Sequence, residues 1–256
     1  MGLMRPYGPY ETCEPYIAIM THKSNYLKKH GFRQFEPKTV LFDMDGVLYD
    51  SMPNHAVAWH ESMAKFGIEM STHDAYATEG ARGIDTIREM VRRQKGMEIT
   101  LEESQQMYDE KTRCFHALPE APVMEGVIAL MQEIKRHGWT IGVVTGSGQR
   151  PLIVRLMTDF ADFLDEHHLV TAYDVEHGKP APDPYLMGMR KAGTEPWETI
   201  VVENAPLGVR AGVAARAFTI AVNTGPLPDA VLLDAGADAL FHDMQELLSH
   251  LNCLLV

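Results

Sequence analysis

Several features are scarce in this sequence of 256 residues. It has three cysteines, Cys13, Cys114 and Cys253, and their odd number and wide spacing suggest neither a disulfide framework nor paired zinc ligands. Acidic residues outnumber basic ones, 35 to 23, and the net charge of -12 argues against a nucleic-acid or anionic-membrane surface. No apolar run approaches a membrane span, and the N-terminus lacks signal-peptide features. We therefore expect a cytoplasmic protein that binds neither nucleic acid nor membrane.

Strand and helix patterns alternate over much of the chain. The short apolar runs TVLF, WTIGVVT, HLVTA, TIVVEN and FTIAVN read as strands, and helical patterns separate the later ones. This alternation predicts βαβ units and therefore an α/β fold, with a doubly wound, mostly parallel, Rossmann-like sheet.

Residues 52–120 carry helical patterns without a convincing strand. Gly67 and Gly96 each end a predicted helix, and Thr100 with Glu103 forms a capping box that opens a third. We therefore predict a core domain of residues 38–51 and 121–256, with an all-helical cap domain, 52–120, inserted after the first strand. Residues 1–37 read as an N-terminal extension with one short helix near Ser24 to Lys29.

Two aspartates follow the first predicted strand in the stretch VLFDMDGVLYDS. The strand has no polar alternation, which indicates burial on both faces, and Asp43 and Asp45 come where it ends. Gly46 then permits a turn. A helix cap or a simple turn is the alternative, but the carboxyl end of a parallel strand is where α/β enzymes place their reacting groups.

Polar residues also follow later strands. In VVTGSGQ, Thr145, Ser147 and the backbone N–H groups could surround phosphate oxygens, although Gly and Ser also form ordinary loops. Lys179 is followed by Pro180, Pro182 and Pro184, which restrict its loop and favour an anchored cation over a mobile surface lysine. Glu203 and Asn204 end another strand with oxygen atoms suited to a hard cation.

These motifs together resemble those of the haloacid dehalogenase superfamily, in the branch that contains β-phosphoglucomutase. The resemblance covers residues 38 to about 250 and rests on four motifs in the family's order: Asp43-Met44-Asp45-Gly46-Val47, Thr145-Gly146-Ser147, Lys179-Pro180 and Glu203-Asn204. VVTGSGQ, ENAPLGV and AVNTGPL look most like small bacterial members that hydrolyse inorganic pyrophosphate. Asn204 departs from the family, whose members usually carry Asp at this position.

The resemblance implies an Mg²⁺-dependent reaction through an aspartyl-phosphate. Asp43 would be nucleophile and metal ligand, and Asp45 would be general acid and base and bind the metal through its backbone carbonyl. Asn204 would be a ligand and Glu203 would act on the metal through a water. Lys179 would balance negative charge, and Thr145 would hold phosphate oxygens together with Gly146, Ser147 and Gln149.

Three residues of the helical insert are expected to contact substrate or the acid/base group. His55 falls where β-phosphoglucomutase-like proteins place a hinge histidine, although it could be a surface histidine. In the stretch ATEGARG, Glu79 stands where phosphoglucomutases commonly offer Lys, and Arg82 is predicted to clamp substrate oxygens. Solvation at a helix end is the alternative for both charges.

Three functions remain open at this point. The leading hypothesis is a monomeric phosphohydrolase for pyrophosphate or another small phosphorylated substrate. The second is a phosphosugar mutase, which returns the phosphoryl group to another hydroxyl. The third is a phosphate-sensing binding module, which the intact pair of Asp43 and Asp45 disfavours because a binder needs no acid/base residue.

Overall fold

The computed structural model describes residues 14–251, with side chains from Thr21 onward. Cys13 and Cys253 lie outside the described residues, and Cys114 is a buried free thiol. Within residues 14–251, no helix combines the length and the apolar character that crossing a membrane would require.

Six strands form one sheet in the order β3-β2-β1-β4-β5-β6, and every neighbouring pair is parallel. The mostly parallel, doubly wound sheet predicted from the sequence is confirmed, with a sixth strand that was not predicted. The strands are β1 Thr39–Phe42, β2 Thr140–Val144, β3 Leu169–Val170, β4 Thr199–Glu203, β5 Phe218–Val222 and β6 Ala239–Phe241.

Eleven α-helices accompany the sheet in the described part of the chain, and four of them, α2 to α5, form the helical segment between β1 and the rest of the sheet. They are α1 Glu14–His30, α2 Met52–Ala64, α3 Thr72–Ala77, α4 Gly83–Lys95, α5 Leu101–His116, α6 Val127–Arg136, α7 Arg150–Asp159, α8 Asp183–Ala192, α9 Pro206–Ala214, α10 Asp229–Asp234 and α11 Met244–Leu251.

Two helix boundaries of the insert were predicted from local chemistry and are confirmed. Thr100 Oγ1 accepts the N–H of Glu103 at 3.1 Å, and Glu103 Oε2 accepts the N–H of Thr100 at 2.8 Å, which is the reciprocal capping box at the start of α5. Gly96 follows α4 in the left-handed conformation with φ of 64°.

The N-terminal segment is more structured than its sequence suggested. Helix α1 begins at Glu14, well before the predicted Ser24. Tyr26 is fully buried in the main core, and its hydroxyl donates to the carbonyls of Pro196 and Arg216 at 3.0 and 2.9 Å. The helix was underestimated because the hydrophobic periodicity of the sequence is poor before Ser24. The division into extension, core and cap remains a prediction.

Strand β1 is covered on both faces, as its uninterrupted apolar run predicted. Val40 and Phe42 belong to one buried cluster, whereas Leu41, which points to the opposite face, belongs to another. The insert has a separate apolar cluster, which includes Trp59, Met63 and Met90. The sheet is therefore a rigid support for β1, and the helical insert packs around its own interior.

Candidate active site

Polar side chains converge where three neighbouring strands end. β1 lies between β2 and β4, and the three strands lead into Asp43, Thr145 and Glu203 with Asn204. All four residues are buried. Because parallel strands end at the same edge of the sheet, residues far apart in sequence become neighbours here.

Lys179 connects two carboxylates at this edge. Its Nζ donates to Asp43 Oδ1 at 2.5 Å, to Glu203 Oε1 at 2.7 Å and to the carbonyl of Val144 at 3.0 Å. Burial lowers the pKa of Lys179, but the charges of Asp43 and Glu203 outweigh this effect and the pKa is raised. Lys179 is therefore an anchored cation rather than a mobile surface lysine.

Asp43 is a buried carboxyl group with one cationic and two anionic side chains around it. Burial raises its pKa to about 7, while the charge of Lys179 acts in the opposite direction and those of Glu203 and Asp45 add to the rise. Oδ1 is held by Lys179, whereas Oδ2 is buried without a hydrogen-bond partner. One oxygen is therefore fixed and the other is open to a bound group.

Glu203 is hydrogen-bonded to three protein groups, and its expected action on a metal through water stays a prediction. Its Oε1 accepts hydrogen bonds from Lys179 and from the hydroxyl of Tyr185, at 2.7 and 2.6 Å, and its Oε2 accepts the backbone N–H of Asn204 at 3.1 Å. A Cβ atom on Gly208 would lie 1.9 Å from Glu203 Oε1, so α9 packs directly over this carboxylate. In this structure Glu203 orients Lys179 and Asn204.

Asn204 carries a second unpartnered buried oxygen, Oδ1. Gly46, with φ of 79°, allows the turn after β1 to lie against Asn204, because a Cβ atom there would be 2.0 Å from Asn204 Nδ2. The described residues contain no cluster of three or more His, Cys, Asp or Glu side chains that could hold a metal ion by themselves. Two unpartnered oxygens, from Asp43 and Asn204, do fit Mg²⁺, which keeps waters and substrate oxygens in its coordination shell.

Asp45 is held by groups other than those that hold Asp43. Ser51 Oγ donates to Asp45 Oδ1 at 2.6 Å, and His55 Nε2 lies 3.2 Å from the same oxygen. Burial raises the pKa of Asp45, but the hydrogen bonds from His55 and Ser51 and the charge of Lys111 together hold it below the usual range. His55 therefore lies beside Asp45, as the resemblance implied, and it is buried rather than on the surface.

Lys111, on α5, is a buried residue that the sequence analysis missed. Its Nζ lies 2.8 Å from His55 Nδ1, and 5.1 and 4.9 Å from the ring centroids of Trp59 and Phe115. Burial and the charge of Lys111 lower the pKa of His55. Because the ammonium group of Lys111 can only donate, His55 Nδ1 accepts from it, and the ring proton on Nε2 is donated to Asp45. A cationic position within an amphipathic helix gave no local signal for this role.

The helical insert closes a small cavity over Asp45. The cavity has a volume of about 40 Å³, and Glu79, Lys111 and Gln149 line it together with Gly146 and Ser147. Burial and the charges of Asp45 and Asp43 raise the pKa of Glu79 to about 8. Glu79, which is half-buried, therefore lines the cavity over Asp45.

The loop after β2 forms the opposite wall. Thr145 Oγ1 accepts the N–H of Ser147 at 3.0 Å, and Ser147 Oγ accepts the N–H of Gln149 at 3.3 Å. Gln149 Nε2 lies 3.4 Å from the hydroxyl of Tyr108 on α5, and its Oε1 is buried without a partner. These contacts shape the loop, and their role in holding phosphate remains a prediction.

Arg82 is placed differently from the predicted oxygen clamp. Its Nε donates to Asp85 Oδ2 at 2.7 Å and its Nη1 donates to the carbonyl of Glu176 at 2.9 Å. The residue lines a neighbouring cleft and not the cavity over Asp45. The acidic partner one helical turn away draws the guanidinium outward.

Comparison with known proteins finds relatives that are named as phosphatases and β-phosphoglucomutases. Hexitol phosphatase A of Escherichia coli is 35% identical over 188 residues, which cover 73% of this chain and 83% of that protein. The β-phosphoglucomutase of Bacillus subtilis is 28% identical over 197 residues, which cover 73% and 84%. The structure of a candidate β-phosphoglucomutase from Bacteroides vulgatus matches with a TM-score of 0.89 and 47% identity, covering 93% of this chain and 97% of that one.

The family model for haloacid dehalogenase-like hydrolases matches residues 37–216, which include the four motifs. The family resemblance read from the sequence is confirmed, whereas the likeness to pyrophosphatases stays a prediction. The chain belongs to the haloacid dehalogenase-like hydrolase family and is an enzyme of its phosphatase and phosphosugar mutase group.

Proposed function

We propose that this protein is an Mg²⁺-dependent phosphohydrolase that acts through an aspartyl-phosphate on Asp43, with pyrophosphate as its preferred substrate. The phosphoryl chemistry rests on one observation: two buried aspartates, two residues apart, have separate partners. Asp43 is held by Lys179, and Asp45 is held by Ser51 and His55. Two carboxylates in different environments can divide the roles of nucleophile and proton carrier.

Asp43 supplies the attacking oxygen. The bond from Lys179 fixes the carboxylate and offsets negative charge when a phosphoryl group approaches. The bond formed is between a carboxylate oxygen of Asp43 and phosphorus, and the bond broken joins phosphorus to the leaving oxygen. Asp43 Oδ2 and Asn204 Oδ1, with the carbonyl of Asp45, would hold Mg²⁺, which when bound neutralises phosphate charge.

Asp45 moves the protons. It is ionised in the free site, and the negative charge of an arriving phosphate raises its pKa, so that it can take up a proton and give it to the leaving oxygen. It then accepts a proton from the water that hydrolyses the aspartyl-phosphate. Ser51 and neutral His55 both donate to Asp45 Oδ1, so they keep the carboxylate oriented through both steps.

The substrate preference rests on Glu79 and on the size of the cavity. In the closed arrangement the cavity of about 40 Å³ has room for a few waters and not for a hexose. With its pKa raised to about 8, Glu79 is mostly protonated in the free site, where it offers no positive charge to a distal phosphate. An Mg²⁺ ion that accompanies pyrophosphate would lower this pKa, and the resulting carboxylate can bind the water shell of the ion. Both features favour a small substrate bound together with its metal.

A phosphosugar phosphatase or mutase is the second candidate. The names of the relatives support it, since hexitol phosphatase A and β-phosphoglucomutases are among them. In this case the helical insert would have to open further to admit the sugar. The reaction would differ only in whether water or a sugar hydroxyl receives the phosphoryl group from Asp43.

Activity measurements on purified protein with Mg²⁺ separate the candidates. The substrates are pyrophosphate, a panel of hexose and hexitol phosphates, and β-glucose 1-phosphate, with Asp43→Asn protein purified in parallel to reveal contaminating phosphatases. We expect the highest kcat/KM for pyrophosphate. Glu79→Lys should lower this value and spare larger phosphomonoesters, and Glu79→Gln tests whether charge is responsible. Faster interconversion of β-glucose 1-phosphate and glucose 6-phosphate, or faster hydrolysis of a sugar phosphate, would overturn the pyrophosphate assignment.

A further inference from the structure

The cap loop, residues 78–82, separates two spaces. Thr78, Ala81 and Thr86 line the cavity of about 40 Å³ over Asp45, and they also line a cleft of about 640 Å³ between α4 and the core. The exposed side chain of Arg88 borders this cleft, so the cleft reaches solvent. A single layer of chain therefore stands between bulk water and the catalytic cavity.

One side chain joins this layer to the core segment that carries Lys179. Arg82 Nη1 donates to the carbonyl of Glu176 at 2.9 Å, across the boundary between insert and core. Its Nε donates to Asp85 at 2.7 Å, and Asp85 lies in the first turn of α4. Asp85 therefore aims the guanidinium, and the second donor group reaches the Lys179 segment, residues 176–180.

The cap loop packs closely against the Lys179 segment and against the loop after β2. A Cβ atom on Gly178 would lie 2.9 Å from Arg82 Cγ, and a Cβ atom on Gly80 would lie 3.2 Å from Lys179 Cδ. A Cβ atom on Gly146 would lie 2.8 Å from the carbonyl oxygen of Gly80. Three glycines thus allow the cap loop to lie directly on Lys179 and on the loop after β2.

We propose that Arg82 is a positioning residue that clamps the cap loop onto the Lys179 segment, so that closure over Asp43 and the final placement of Lys179 occur together. An arginine suits this task because its planar fork offers separate donors to Asp85 and to the carbonyl of Glu176. Exclusion of water follows, since the clamped loop is the wall of the cavity. The catalytic part of this proposal rests on the proposed phosphohydrolase function, whereas the clamp itself does not.

Amide hydrogen exchange tests the clamp without turnover. The proteins are wild type, Arg82→Ala, Arg82→Lys and the matched control Arg88→Ala, which replaces an exposed arginine of α4. Exchange is followed in residues 79–83 and 176–180, with and without Mg²⁺ and inorganic phosphate. For Arg82→Ala we expect about fivefold faster exchange in both segments, an effect of the size expected from one lost hydrogen bond. Arg82→Lys should be intermediate, and Arg88→Ala should match wild type.

Kinetics give the second readout. With the best substrate, Arg82→Ala should lower kcat about fivefold with less change in KM, because the clamp acts after binding. Faster exchange confined to residues 79–83 would mean that Arg82 only supports the start of α4, and wild-type behaviour of Arg82→Ala would also overturn the proposal. If the alanine variant does not fold, Arg82→Gln replaces it. An inactive wild type would refute the proposed function and leave the exchange test of the clamp intact.

Discussion

Replacing Lys111 with methionine should separate the stability of this protein from its activity. Burial lowers the pKa of Lys111 from 10.5 to about 8, while the charges of Glu79 and Asp45 act in the opposite direction. At about 1.4 kcal/mol per pKa unit, the folded protein disfavours the charged amine by about 3 kcal/mol. Methionine keeps an apolar stem of similar length and carries no charge.

The sign of the pH dependence follows from proton binding. Below about pH 8 the lysine is protonated in both folded and unfolded protein, so the whole cost of the buried charge is present. Between pH 8 and 10.5 the unfolded chain binds more protons than the folded one, and the cost disappears as pH rises. The free energy of unfolding of wild type should therefore gain about 3 kcal/mol relative to Lys111→Met across this range.

The effect of Lys111→Met on kcat should be independent of its effect on stability. Without the ammonium, His55 Nδ1 loses its donor and the imidazole is less firmly held in the form that donates to Asp45. We expect kcat to fall about 10- to 100-fold, a part of the contribution of general acid–base catalysis.

The assays are urea unfolding at pH 7 to 10.5 and initial rates at pH 7, with Lys135→Met on the exposed face of α6 as control. An unchanged difference in unfolding free energy between pH 8 and 10.5 would refute the electrostatic reasoning. A wild-type kcat for Lys111→Met would refute the link to Asp45.

Four further predictions concern the core site. Asp43→Asn should reduce kcat by orders of magnitude without lowering the melting temperature, and near-normal turnover would exclude the covalent mechanism. Chelation of the metal should abolish activity without unfolding the protein. Asn204→Asp should lower the Mg²⁺ concentration needed for half-maximal rate, because the substitution adds a negatively charged ligand. A higher Mg²⁺ requirement would show that Asn204 is not a ligand. Gly46→Ala should destabilise the fold by about 1–3 kcal/mol in urea unfolding and raise the Mg²⁺ requirement, since φ is 79° and the new Cβ would lie 2.0 Å from Asn204 Nδ2. Wild-type values for both would contradict the close packing of this turn.

The sequence by itself determined the strands and the groups that follow them. The apolar run TVLF and the two aspartates behind it are local features, and strands alternating with helices predict a parallel sheet. From that topology alone, Asp43, Thr145, Lys179 and Asn204 were expected at one edge, and the structure brings them together there. Local capping chemistry likewise predicted the boundary at Thr100.

Only the tertiary structure decided which partner each of these groups has. Lys111 lies 56 positions from His55 along the chain, and Arg82 lies 94 positions from Glu176, so no local periodicity could pair them. The packing of α5 against α2 buries Lys111, and the docking of the cap loop on residues 176–180 turns Arg82 away from the cavity. A backbone pattern specifies where a side chain starts, whereas its partner and its pKa depend on burial and charge from elements far away in sequence.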